Sequence, residues 1–192
     1  MAIFRAVERA SFNPEKVYER HPGARLPGNV PYLIDNIWEC ARPQYLPSRR
    51  HAVYASPTPE LALLCASANA LGRDKYMACE VHLATPPEKL FQLSVWDARD
   101  HRDLKRLQKL VHAALGQWGQ RPFDGKLAFA PLFLPGMTAK EIADAANATP
   151  ELGELLTTLT AAATMWSESP DPSKGEVIFE LEQGNTYSLT PV

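Results

Sequence analysis

The stretch Arg50-His51-Ala52-Val53-Tyr54-Ala55-Ser56-Pro57-Thr58-Pro59-Glu60-Leu61-Ala62-Leu63-Leu64-Cys65-Ala66 changes its structural signal within a few residues. His51 to Ser56 is short and carries β-branched and aromatic side chains, which predicts a strand. Thr58 then suits a helix cap, Pro59 the first helical position and Glu60 the positive end of the helix dipole. Leu61, Leu64, Cys65 and Ala68 recur at helical spacing and predict one apolar face. Ser56 is left at the junction, where its hydroxyl can reach outward while strand and helix hold its backbone. On this stretch alone the plainer reading is preferred, with Ser56 and Thr58 as turn and cap residues.

Working outward, the 192-residue chain is long enough for one domain with a substantial core, or a domain with an insertion. Hydrophobic content of 45%, charged content of 22% and a net charge of −2 are ordinary for a globular protein. Such a balance gives no overall attraction to nucleic acid or to an anionic membrane. Two basic runs, Pro47-Ser48-Arg49-Arg50 and Arg99 to Lys109, read first as solvated faces and second as anion sites. Cys40, Cys65 and Cys79 lack metal-ligand spacing and lie among apolar residues, so free buried thiols in a reducing compartment are expected. The N-terminus, Met-Ala-Ile-Phe-Arg-Ala-Val-Glu-Arg, shows no long apolar stretch for a Sec signal, and no run approaches the length of a membrane span. The expected location of action is the cytoplasm, with delivery into another cell by a signal-peptide-independent route left open.

Ala2 to Val7 predicts a first strand, with Arg5 needing a polar partner if it points inward, or facing water from an edge strand. Ser11 to Pro31 reads as a loop marked by Pro14, Pro22, Pro27 and Pro31. Leu33, Ile34, Ile37 and Trp38 predict a helix that ends before Pro43. Strands follow at Lys75 to Leu83 and Leu90 to Trp96. Glu80 and His82 would share one exposed face of the first. Asp103 to Leu115 is the clearest amphipathic helix. Acidic residues crowd its start (Asp97, Asp100 and Asp103, with His101), but capping and dipole effects explain them without a metal. Thr138 and Glu141 have capping-box spacing. Thr149-Pro150-Glu151 opens a further helix whose apolar stripe runs to Trp166. Glu176 to Leu181, a turn at Gln183 to Thr186, and Tyr187 to Thr190 predict a closing hairpin.

Three of these islands together resemble the ADP-ribosyltransferase superfamily, in the branch marked by an arginine, a serine and a glutamate. Ile3-Phe4-Arg5-Ala6-Val7 is similar to the strand that carries the family arginine. Tyr54-Ala55-Ser56-Pro57-Thr58 is similar to the serine motif that ends a strand, with Pro57 in place of the middle residue. Glu176-Val177-Ile178-Phe179, followed by a turn and Tyr187-Ser188-Leu189, resembles the segment that begins with the family glutamate. Arg5, Ser56 and Glu176 also stand in the family order. Two departures matter. Lys174 occupies the position, two before Glu176, where the family often has an acceptor-selecting Glu or Gln. The separation of Ser56 from Glu176 is long for a compact member.

The resemblance implies an α+β fold, a split β-sandwich of two small antiparallel sheets with an NAD cleft. All 192 residues would form one such domain, with residues 103–166 as a helical insertion or layer. It implies an NAD-dependent mono-ADP-ribosyltransferase acting on a macromolecular acceptor such as a protein, in the manner of a bacterial effector or phage protein. NAD would serve as substrate, no metal being implied. Glu176 would stabilise charge on the ribose, Arg5 neutralise the phosphates, and Ser56 hold the geometry. Tyr54 would stack on nicotinamide, and Thr58 would complete the NAD contacts. Two alternatives keep the fold: a RES-type toxin that degrades NAD without a protein acceptor, and a binding module that has lost catalysis.

Overall fold

The computed structural model describes residues 2–19, 23–66, 70–116 and 120–192; Pro22 and Ala68 of the expectations above lie outside them. In chain order the elements are β1 (Phe4–Glu8), β2 (Tyr18–Glu19), α1 (Tyr32–Ala41), β3 (Val53–Ala55), α2 (Pro59–Ala66), β4 (Tyr76–Leu83), β5 (Lys89–Gln92), α3 (Asp103–Leu115), α4 (Phe123–Leu127), α5 (Ala139–Ala148), α6 (Pro150–Ala162), β6 (Val177–Glu180) and β7 (Thr186–Pro191). The chain forms two compact units. One comprises Met1–Gly23, Gln44–Ala98 and Ser169–Val192; the other comprises Ala24–Pro43 and Arg99–Glu168. The helical segment foreseen at 103–166 thus belongs to a unit that also takes in α1.

The first unit holds both sheets, ordered β1-β4-β7-β2 and β3-β6-β5. Every strand pairing in them is antiparallel. The mixed α and β architecture agrees with the sequence. The closing hairpin does not. β6 is bracketed by β3 and β5, and β7 by β4 and β2, so consecutive strands enter different sheets. Gly184, at φ 86°, makes the turn between them, in a region that L side chains rarely adopt. Alternation explains the core. Ile3, Cys79, Val81, Tyr187 and Leu189 from one sheet meet Ala55, Val177 and Phe179 from the other. Phe179 meets Tyr187 edge to face, with ring centroids 6.0 Å apart.

Several expected boundaries shift for physical reasons. The Leu90 to Trp96 strand stops at Gln92, because the backbone then turns to meet the 171–176 segment. On α2 the buried residue is Ala62 rather than the expected Leu61, Leu64 and Cys65 face, and Leu64 is exposed. A small side chain there lets α2 lie close to β1 and β4, which it contacts. Of the three free cysteines only Cys79 is buried, and burial raises its thiol pKa; Cys40 and Cys65 are half-buried. Of the pair expected on an exposed face of β4, His82 is exposed and Glu80 is half-buried.

The second unit is helical. Leu107, Val111 and Leu115 are the buried stripe of α3, which ends at Gly116 with φ 55°. Thr138 and Glu141 form the expected capping box on α5. Leu152, Leu155, Leu159 and Ala162 are buried on α6. Trp166 lies past the end of that helix, where its indole N–H donates to the Trp38 carbonyl at 2.7 Å.

Asp103, fully buried, ties this unit together. Its Oδ2 accepts from Trp38 Nε1 at 2.9 Å, Thr164 N at 2.8 Å and Met165 N at 3.1 Å. Its Oδ1 accepts from the Thr164 hydroxyl at 2.9 Å. Asp103 N donates to His101 Nδ1 at 3.1 Å, leaving His101 Nε2 at 3.3 Å from Glu168 Oε2. Asp103, in the acidic start of α3, is therefore a polar pin; among the described residues no group of three or more His, Cys, Asp or Glu is placed to hold a metal ion. Asp103→Ala would orphan several buried donors, so a loss of about 3 kcal/mol is expected in urea unfolding. A wild-type midpoint and slope in that measurement would show that the pin is dispensable. No helix among the described residues is long and apolar enough to cross a membrane.

Candidate functional site

The site is built in the first unit where β1, β3 and β6 meet. Phe4 and Ser56 exchange both backbone hydrogen bonds at 2.8 Å, joining the end of β3 to β1. Ala55 pairs with Val177, so the next register position sets Ser56 opposite Glu176. Strand alternation then sends Ser56 and Glu176 to the same side. Both are buried, Glu176 being 7% exposed. Continued one step past the ladder, the register places these two expected residues at facing, buried positions.

Arg5 behaves differently. It follows Phe4, so alternation turns it away from the Ser56 side, level with the core residue Cys79. Its Nη1 donates to the Tyr187 hydroxyl, and its guanidinium lies 5.6 Å from the Tyr187 ring centroid. Tyr187 in turn stacks on Tyr18 at 5.0 Å. The inward arginine finds its polar partner in a phenol, with the ring face adding cation–π attraction.

The cation beside Glu176 is Arg49. Its Nη1 stands 3.9 Å from Glu176 Oε2, and the residue is only 3% exposed. The expectation of a solvated face at 47–50 is therefore overturned; Arg50 is buried as well. A tight turn holds Arg49 in place. Ser48 O accepts from His51 N and Ala52 N at 3.1 and 2.9 Å, while Ser48 N donates to Glu180 Oε2 at 3.2 Å. The Tyr54 hydroxyl donates to Arg49 O at 2.6 Å, and the Arg49 guanidinium lies 5.3 Å from the Tyr54 ring centroid. Tyr54 thus supports the arginine rather than standing clear as a stacking platform. The second run, by contrast, is partly solvated, with Arg102, Lys105, Arg106 and Lys109 exposed.

Glu176 is fixed from several sides. Its Oε2 accepts from Ala98 N at 3.3 Å, its N donates to Val95 O at 2.8 Å, and its O accepts from Leu93 N at 2.9 Å. The preceding loop is closed by Asp171, whose backbone oxygen accepts from Gly175 N at 2.7 Å. The Ser173 hydroxyl holds the Asp171 carboxyl below the usual carboxylate range, helped by Lys174, which is 3.3 Å away. Thr58 is a cap: its hydroxyl oxygen accepts from Leu61 N at 3.3 Å at the start of α2.

No family model, curated protein or solved structure matches this chain. The site must be read from its own chemistry. A buried carboxylate, a serine in register with it and a guanidinium within reach can orient hydroxyls, stabilise a developing positive charge and bind an anionic ligand. Glu180 was missed from the sequence, and Arg49 was read first as part of a solvated face and only second as an anion site. A signal existed, because Glu176, Ile178 and Glu180 fall on one face of a strand buried along its length. Two carboxylates in such a place require donors, and the Ser48-Arg49 pair just before β3 supplies them.

Proposed function

We propose that the first unit is an NAD-dependent mono-ADP-ribosyltransferase on an ADP-ribosyltransferase-like split β-sandwich. The observation that carries this reading is Glu176, buried at a strand start in register with Ser56 and 3.9 Å from Arg49. In the reaction the nicotinamide leaves with the bonding electron pair, and positive charge grows on the ribose. The Glu176 carboxylate stabilises that charge and orients the ribose hydroxyls. Ser56 holds the geometry on its bridged strand. Arg49 meets the phosphates with its fork of N–H groups, and Arg5, one of whose five donors engages Tyr187, adds to the positive field. The acceptor is a macromolecule, with a protein proposed first, and its nucleophile loses a proton as the new bond to ribose forms.

A second reading, RES-type NAD degradation, is favoured by one observation. Lys174, at the acceptor-selecting position, is tied to Asp171 and supplies no carboxylate there. Water would then take the acceptor's place. NAD carrying a label on its adenosine half, incubated with the full chain and a bacterial lysate, distinguishes the two. Label on protein supports transfer, and free labelled ADP-ribose supports degradation. Arg49→Ala should raise KM for NAD by roughly tenfold or more, because a charge-assisted contact to phosphate is lost. Consumption of NAD by neither the wild type nor any variant would remove the catalytic reading.

A further inference from the structure

The second unit carries a recess of about 500 Å³ that the proposed NAD chemistry does not use. Its wall is apolar: Leu33 from α1, Val111 and Leu115 from α3, and Phe133 and Leu134. Polar groups in the lining are few, namely Gln108, His112 and Lys126. That volume and composition suit insertion of apolar groups with a small number of orienting polar contacts.

The apolar surface does not end at the recess. Leu134 is 48% exposed, and on α4 Phe123 and Leu127 are 75% and 57% exposed. The last two stand four residues apart on α4, on either side in sequence of recess-lining Lys126, and Ala130 of the lining follows three residues after Leu127. A small ligand confined to the recess would leave this extension bare. A lipid surface would cover the extension but leave the recess unfilled. An apolar stripe on a helix can do both, placing one or two side chains in the recess and resting others on Phe123 and Leu127.

Charge selects among such helices. Lys105, Lys109 and His112 are exposed at i, i+4 and i+7 of α3, in a row flanking the wall residues Gln108, Val111 and Leu115. The only carboxylate on α4 is Asp124, in its first turn. We propose that this surface docks an amphipathic helix of a partner protein, apolar on one face and flanked by glutamate or aspartate on the side that meets α3.

The test uses the full chain and a fluorescein-labelled synthetic peptide of about four helical turns, with leucines at i, i+3, i+4 and i+7 and glutamates beside them. Fluorescence anisotropy should show saturable binding to wild type. A scrambled peptide of the same composition, and one with lysine in place of glutamate, should each bind about tenfold more weakly. K105E/K109E should weaken the glutamate peptide by about tenfold and recover affinity for the lysine peptide. Leu134→Glu should also weaken binding, with an unchanged circular dichroism spectrum showing that the fold stands. Absence of binding by wild type, or equal binding of all three peptides, would overturn the proposal. So would K105E/K109E binding the glutamate peptide as wild type does. Co-sedimentation with phosphatidylserine vesicles without peptide binding would also overturn it and assign the surface to lipid.

Discussion

Glu176→Gln is expected to lower NAD turnover by roughly 10²- to 10³-fold, the usual cost of removing one group that stabilises charge in a transition state. The substitution keeps the length and shape of the side chain. An amide oxygen can still accept from Ala98 N, which now donates to Glu176 Oε2 at 3.3 Å. What disappears is negative charge where the ribose becomes positive. The loss should therefore fall on kcat, with KM nearly unchanged, whereas Arg49→Ala should act mainly on KM. Gln also removes the charge facing buried Arg49, so folding must be measured beside activity. Glu176→Asp supplies the independent check. It keeps the charge beside Arg49 but withdraws the carboxylate by one methylene, so turnover should drop with the melt largely preserved. Wild-type kcat in both variants would remove Glu176 from the chemistry and leave its carboxylate as a structural partner of Arg49 and Ala98.

The reach of the sequence differs between the elements of this site. Local signals are read well where one rule acts alone. The α3 helix has the expected bounds because its apolar stripe and acidic start agree. The capping box at Thr138 is likewise local. Ser56 at a strand end and Glu176 at a strand start were legible for the same reason. Their mutual register was not, because it depends on which strands become neighbours. The two-sheet arrangement decides that β6 pairs with β3 and β5 instead of folding back on β7. Arg5 shows the same limit from another direction. Its need for a polar partner followed from its apolar strand, but the partner is Tyr187, 182 positions away. The basic run at 47–50 misled because charge is normally solvated. Two buried carboxylates, Glu180 on β6 and Glu176 just before it, reverse that preference by offering Ser48 N and Arg49 a better place than water.

Gly175→Ala should be the most damaging single methyl group in the first unit. A Cβ at this position would stand 1.9 Å from the Leu93 carbonyl oxygen and 2.9 Å from that of Asp171. Both contacts are backbone, so no side chain can swing aside. The Leu93 oxygen already accepts from Asp171 N at 3.1 Å, and the Gly175 oxygen accepts from Gln92 Nε2 at 3.0 Å. Relieving the clash must part the 171–175 loop from the chain leaving β5, breaking hydrogen bonds that hold Glu176 between Leu93 and Val95. A cost of about 3 kcal/mol is expected, which for a chain of this size lowers the melting temperature by roughly 6–12 °C. Activity should fall further than stability. At a temperature where the variant is still folded, a shift of about 1 Å in the carboxylate can reduce turnover by about 100-fold. Gly184→Ala, a strained position in the turn before β7 with open space around it, separates the two effects. It should lower the melting temperature while leaving kcat close to wild type in the folded protein. Equal kcat losses in the two variants would mean that general destabilisation, rather than the seat of Glu176, governs turnover.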